Sequence, residues 1–233
     1  MSTEHPTESA QESIADRCYR LIKEAIIFGE IAPGEVFNES SLVQQFSVST
    51  SPLREALTRL RQDGLVRVLP RKGYVVTELT LNDFHDLIQI RIVLESAAAE
   101  LAAPRATAED VARLRALAAT GFTPGDAESI RVFMHAHQDF HLHVAAMSGN
   151  RRLQLLIEQS YLDIQRLLFA NFGSGEGAVG RDDHSTIIDA LARRDSEAAR
   201  AATVAHIRES RDRILDRLVR DTDGLANRPL GLQ

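Results

Sequence analysis

Tryptophan is absent from this 233-residue chain, cysteine occurs once, and aromatic residues make up only 5% of it. Each shortage excludes something. A lone Cys18 cannot close an internal disulfide, so no cystine framework holds the fold. No apolar run approaches the roughly 20 residues that a membrane-spanning helix needs. The polar, acidic start MSTEHPTESAQES has no apolar segment of the secretion-signal kind, and a cytoplasmic protein with no membrane partner is expected. Basic residues are also in the minority, 27 against 33 acidic. A net charge of −6 argues against general coating of nucleic acid but leaves room for a local basic patch. What the chain does have is 44% hydrophobic residues, with Ala, Leu, Arg and Glu abundant. That balance predicts a mostly α protein, either one large domain or two small ones.

Ile14, Cys18, Leu21, Ile22, Ala25 and Ile26 recur at helical spacing until Gly29. After IAPGE, Asn38 can cap a short helix over Glu39 to Phe46, and SVSTSP leads into a second short helix with Pro52 at its first position. Beyond Gly64, LVRVLP and GYVVTE read as a two-stranded hairpin with Arg71-Lys72-Gly73 at its tip. Helix, helix, turn, helix, hairpin is the order of a winged helix-turn-helix. Leu53, Ala56, Leu57 and Leu60 form the inward stripe of the second short helix, with Arg54, Thr58, Arg59 and Arg61 on other faces. Between Val48 and Thr77 six basic residues stand against two acidic ones, a local +4 that is either an ordinary solvated surface or a DNA-facing patch.

The stretch from IADRCYRLIKEAIIFG to RKGYVV, with GEIAPGE, NESSL, PLREAL and DGLV inside it, resembles the DNA-binding domain of the GntR family of bacterial transcription regulators over about 65 residues. The resemblance implies that Ser49, Thr50, Ser51 and Arg54 at the recognition helix, with Arg71 and Lys72 at the wing, contact double-stranded operator DNA. Hydroxyls suit phosphate oxygens, and Arg54 suits a phosphate or a guanine edge. Two positions depart from the family pattern. Ser47 stands where Gly is usual in the turn, and if that position needs positive φ, Ser costs up to roughly 1 kcal/mol. Thr50 replaces an arginine that commonly reads a base, which shifts the burden to the hydroxyls, the wing and DNA shape.

The remaining chain reads as an all-α bundle. Thr80 and Asp83 resemble a capping box ahead of a helix that runs to Pro104, and Thr107 caps the next one. Helices follow at about 126–147, 151–170, 181–193 and 195–219, separated by SGN, FGSGEGAVG and Asp195. The expected domains are a disordered tail over 1–8, a winged helix-turn-helix over 9–77 (helix-turn-helix at about 38–57), an effector and dimerisation domain over 80–219, and a flexible tail over 220–233.

Four of the eight histidines fall within HAHQDFHLH, residues 135–143. Steps of three and four place His137 and His141 on the stripe of Phe133, Phe140, Val144 and Ser148. His135, Asp139 and His143 face elsewhere, and the two histidines among them are expected to be solvated. Imidazoles at i, i+4 can chelate one divalent cation, as in zincin helices, but the residue after the first histidine is Gln138. An amide cannot serve as a general base, so hydrolytic chemistry loses its central group. His184 and His206, each on its own helical segment beside apolar residues, can complete a site.

DFHLHVAAMSGN, DDHSTIIDALARRDSEAARAATVAHI and IRIVLESAAAELAA resemble the FCD-type effector domain of the FadR-like branch of the same family. That resemblance implies a metal held by His137, His141, His184 and His206, with His137 where the family commonly has Asp, and with Asp139 as the alternative fourth ligand. Imidazoles suit Zn or Ni. Arg91 and Glu95 interrupt the apolar stripe of the helix over 80–102, either as a self-satisfied ion pair or with Arg91 clamping a small organic acid. The function implied is a homodimeric regulator, more often a repressor than an activator, whose operator affinity follows a carboxylate effector. A metal-dependent enzyme and a metal-free helical scaffold are the competing classes.

Overall fold

The computed structural model describes residues 12–173 and 183–220, with side chains at 170–173 and 217–220 left out. The tails expected at 1–8 and beyond 220, most of the FGSGEGAVG segment, and the start of the helix expected at 181 lie outside the described residues.

The N-terminal part is a winged helix-turn-helix, as its pattern predicts. Helix α1 (Ile14–Ile27) begins where the Ser13 side chain accepts from the Asp16 N–H, and it packs on α3 (Thr50–Gln62). Helix α2 (Glu39–Phe46) is capped by Asn38, which accepts from the Ser41 N–H. Ser47 then adopts φ 52° and ψ 46°, so the turn between α2 and α3 does require the left-handed region. Pro52 is the third residue of α3, not its first, because the helix already starts at Thr50, two residues earlier than the proline alone implies. Ile22, Leu42, Leu53, Leu57, Leu60, Leu65 and Val76 close the core of this part.

The wing is β2 (Val66–Leu69) paired antiparallel with β3 (Gly73–Val76). A short β1 (Val36–Phe37), which periodicity over two residues cannot reveal, pairs with the other edge of β3 to give the order β1-β3-β2. At the tip the Lys72 N–H donates to the Leu69 carbonyl, Pro70 precedes Arg71, and Arg71 has φ 65°, the signature of a type II turn. Gly73 follows at φ 111°, where an added Cβ would lie 2.4 Å from the Phe37 carbonyl oxygen. Glycine at this position is what lets β1 and β3 approach.

A short connection, Thr77 to Thr80, leads into α4 (Leu81–Ala102), and the Thr80–Asp83 capping box forms with both reciprocal bonds. A 3₁₀ turn at Ala103–Arg105 precedes α5 (Ala108–Ala118), whose Thr107–Asp110 box is likewise complete. Then come α6 (Ala127–Met147), α7 (Arg151–Gly173), α8 (Ser185–Ala192) and α9 (Ser196–Arg220). Helix α4 is central, packing on α9, α6 and α7. The two parts are not independent. Helix α7 packs on α1, Leu162 of α7 joins the N-terminal core, and an Arg166 guanidinium N–H donates to the Thr77 carbonyl.

Candidate functional site

The inward stripe of α6 is buried as its spacing predicts: Phe133, His137, Phe140, His141, Val144 and Ser148 are all in the interior. His206 reaches the same place from α9, and His184 from the residue just before α8 rather than from within a helix. All four imidazoles are at most 5% exposed, and one ring nitrogen of each lies within 4.8 Å of those of the others. His184 Nε2 and His141 Nε2 are 3.2 Å apart. Two nitrogens held about 2.0–2.1 Å from a tetrahedral Zn²⁺ stand about 3.3 Å apart, so this edge already has the length of a ligand pair. The Phe140 ring lies 4.1 Å, centroid to centroid, from the His184 ring and fixes its plane.

Glu95 carries an unforeseen role. Its carboxylate accepts from His141 Nδ1 at 2.8 Å, which directs the Nε2 lone pair of His141 into the cluster. The other carboxylate oxygen accepts from Arg91 Nε at 2.6 Å, and the Arg91 guanidinium also donates to Tyr161 Oη at 3.2 Å. Burial pushes the Glu95 carboxyl up, but the Arg91 guanidinium and His141 outweigh burial and hold it well below the usual carboxylate range. Burial pushes His141 down to about 4 against the pull of Glu95, so the ring is neutral at pH 7, the form a metal requires. The Arg91–Glu95 ion pair read from the i, i+4 spacing is therefore real, and it is extended at one end by His141 and at the other by Tyr161. The cavity beside Glu95, His141 and Thr203 is only about 10 Å³, no more than the room of one water molecule.

Two expectations are corrected. Asp139 is exposed and takes no part in the histidine cluster, because on α6 it lies half a turn from His137 and His141. His143 is not a solvated residue: it is only 17% exposed and its Nε2 lies 3.0 Å from Asp110 Oδ1, tying α6 to the start of α5. His135 is exposed, with its ring edge-on to Phe28. Gln138 accepts from Gln165 Nε2 at 2.9 Å, away from the four imidazoles. Glu95 was visible in the sequence as part of the α4 stripe, but nothing local to that stripe names His141 as its partner. Tyr161 sits at helical spacing with Ile157, Ile164 and Leu168 and reads as core.

At the other end of the molecule, Ser49, Thr50, Ser51, Arg54, Arg71 and Lys72 are all exposed. Ser49 is the N-cap of α3, yet its side chain makes no capping hydrogen bond. The first N–H groups of α3 and three hydroxyls thus stand together, an arrangement suited to phosphate. Arg54 is 67% exposed and its Nε donates to Glu39 at 2.9 Å, which holds the guanidinium across from α2.

Comparison with known proteins identifies both halves. Residues 14–76 match the bacterial regulatory proteins of the gntR family, and residues 86–209 match the FCD domain. The chain is 32% identical over 190 residues to the uncharacterized HTH-type transcriptional regulator YdhC of Bacillus subtilis, spanning 81% of this chain and 85% of that one. It is 31% identical over 185 residues to the Nta operon transcriptional regulator of Aminobacter aminovorans, spanning 79% and 86%. Its fold superposes on McbR/YncC of E. coli with a TM-score of 0.73 at 22% identity, covering 89% of this chain and 100% of the other. With a winged helix-turn-helix joined to an FCD domain, this chain belongs to the GntR family of DNA-binding transcription regulators, and it is a regulator rather than an enzyme.

Proposed function

We propose that this regulator is a dimeric repressor in the bacterial cytoplasm whose operator affinity is set by a small organic acid bound beside a divalent transition metal, Zn or Ni, in the helical domain. The observation that carries the reading is the convergence of four buried imidazoles, with the outer nitrogen of His141 held by Glu95. The donor set fits such an ion. Four imidazole nitrogens converging in a buried pocket suit Zn or Ni. His137, His141, His184 and His206 would hold the metal, which would supply a Lewis-acidic point for an effector oxygen. Arg91 is the guanidinium for the effector carboxylate; its Nε bond to Glu95 gives way while Glu95 keeps His141 as partner, and the surrounding helices part to admit the acid, because the space now beside the pair is about 10 Å³.

Ser49, Thr50, Ser51, Arg54, Arg71 and Lys72 are the DNA-contacting set, the hydroxyls and Lys72 on phosphates and Arg54 on a base edge or phosphate. Dimerisation is supported by α4, where Ile90, Val93 and Leu101 are exposed along one face at 44%, 62% and 40%. Relatives include the HTH-type transcriptional repressors RspR and GlaR of E. coli, which supports repression over activation.

Coupling runs through α7. Tyr161 meets the Arg91–Glu95 pair, the adjacent Leu162 sits in the N-terminal core, and Arg166 holds the carbonyl of Thr77 where the wing ends. An effector that prefers one setting of α7 thereby biases the placement of the recognition helix. The test is elemental analysis of the purified chain together with an operator shift assay across a panel of hydroxy and sugar acids. Stoichiometric Zn or Ni, lost in His184→Ala along with effector response but not the fold, is the expected result. A metal-free protein whose His184→Ala variant responds normally would overturn it.

A further inference from the structure

A cleft of about 340 Å³ lies between the two halves of the molecule, walled by α1 and α3 on one side and by α6 and α7 on the other. None of the four clustered histidines lines it. Its size falls within the range of small-molecule sites, roughly 300–1,000 Å³. Ile27 and Phe28 give it a buried apolar floor. Most of its charges are spent on one another: Arg20 pairs with Glu12, and Arg59 pairs with Asp16.

Lys23 is different. It is half-buried, its Nζ stands 5.8 Å from the centre of the Tyr19 ring, and among the described residues it makes no ion pair. Burial draws its pKa down, while Asp63, Glu158 and Glu24 act from a distance to hold it up. Opposite Lys23, Gln138 and Gln165 share one hydrogen bond, which uses one donor and one acceptor and leaves the other amide groups of the pair for a ligand. An ammonium drawn partly out of water with no carboxylate at ion-pair distance among the described residues is costly, and an anion in the cleft lowers that cost.

We propose that this inter-domain cleft is a second ligand site, distinct from the metal centre, that takes a small organic anion with an apolar ring or chain: the acid group on Lys23, the amide pair beside it, and the apolar body on Phe28. Its walls come from both halves, so an occupant stabilises the arrangement in which α1 and α3 lie against α6 and α7. The site is independent of the metal reading.

The probe is 1-anilinonaphthalene-8-sulfonate, an aromatic anion whose emission rises in apolar surroundings, titrated into the full-length protein. One saturable site per chain is expected. Lys23→Gln weakens binding by about tenfold or more, as loss of a charge-assisted bond requires. Lys23→Arg retains it within about threefold, and His184→Ala binds like the parent. Lys23→Met, of similar length, gives the same loss if the Gln variant disturbs the fold as judged by circular dichroism. Parent-like affinity in both charge-removing variants, no saturable site at all, or a loss in folded His184→Ala would each overturn the proposal. Failure of the metal reading instead appears as missing metal and leaves this titration unchanged.

Discussion

Glu95 is a buried carboxylate with three obligations: it neutralises Arg91, orients His141, and meets Tyr161. Exchanging it for an amide keeps the shape but removes the charge that makes His141 a better donor to a cation. Glu95→Gln is therefore expected to lose about 10–100-fold in metal affinity, measured by competition with a chelating dye, and about 3–5 kcal/mol of stability in urea unfolding, because the buried Arg91 is left without a counter-charge. Ser47 poses a backbone question. A side chain at φ 52° meets the carbonyl that follows, at a cost of about 1 kcal/mol, which glycine avoids. Glycine also gains freedom in the unfolded chain, so Ser47→Gly is expected to stabilise by no more than about 1 kcal/mol, seen as a Tm rise of up to about 4 °C.

Helix starts are where elements here depend on single residues. In the Thr107–Asp110 box the Asp110 carboxylate accepts from the Thr107 hydroxyl and N–H, and it also faces His143. The Thr107 hydrogen bond is the main cause that lowers the Asp110 pKa. A depressed carboxylate contributes stability that is complete above its unfolded value of about 3.9 and is lost as pH falls through the lower folded value. Asp110→Asn should be less stable by about 1 kcal/mol at pH 7, and its denaturation midpoint should fall less steeply than the parent's below about pH 4. The outer face of α4 presents a different dependence. Val93, 62% exposed, stands between Ile90 and Leu101 on an apolar stripe that the chain's own helices leave uncovered. If a second copy covers it, Val93→Glu yields a monomer in light scattering and loses operator affinity, because two half-sites are no longer read together.

Across the whole molecule the two halves are tied by α7 and by a few polar contacts. Arg166 is 7% exposed, pairs with Asp163, and donates to the Thr77 carbonyl, while its Nε has no hydrogen-bond partner among the described residues. Arg131 adds an ion pair to Glu30 in the turn after α1. Arg166→Met keeps the apolar stem of the side chain but removes the guanidinium that grips the connection between wing and bundle. It should retain metal stoichiometry and effector binding while the effector-induced change in operator affinity shrinks severalfold, measured by shift assays with the acid that releases the parent from DNA. An unchanged response would place the coupling elsewhere.

Much of this was legible before any coordinates. The order of the helices and the hairpin, the Thr80–Asp83 capping box, the Thr107 cap, the left-handed Ser47, the inward stripe of α6 and the four candidate ligands follow from spacing and resemblance, because caps, turns and amphipathic stripes are properties of residues within a few positions of one another. What lay beyond the sequence is long-range. Strand β1 exists only because Gly73 leaves space for Phe37, His141 finds Glu95 across two helices, and the cleft around Lys23 forms only where the halves meet. Sequence by itself determined which side chains face inward and which chemistry they carry. Only tertiary packing decided which of them touch, that Asp139 stands apart from the four histidines, and that the Arg91–Glu95 pair meets His141 and Tyr161, since partners 43 to 70 residues apart are brought together by helix docking and not by any local period.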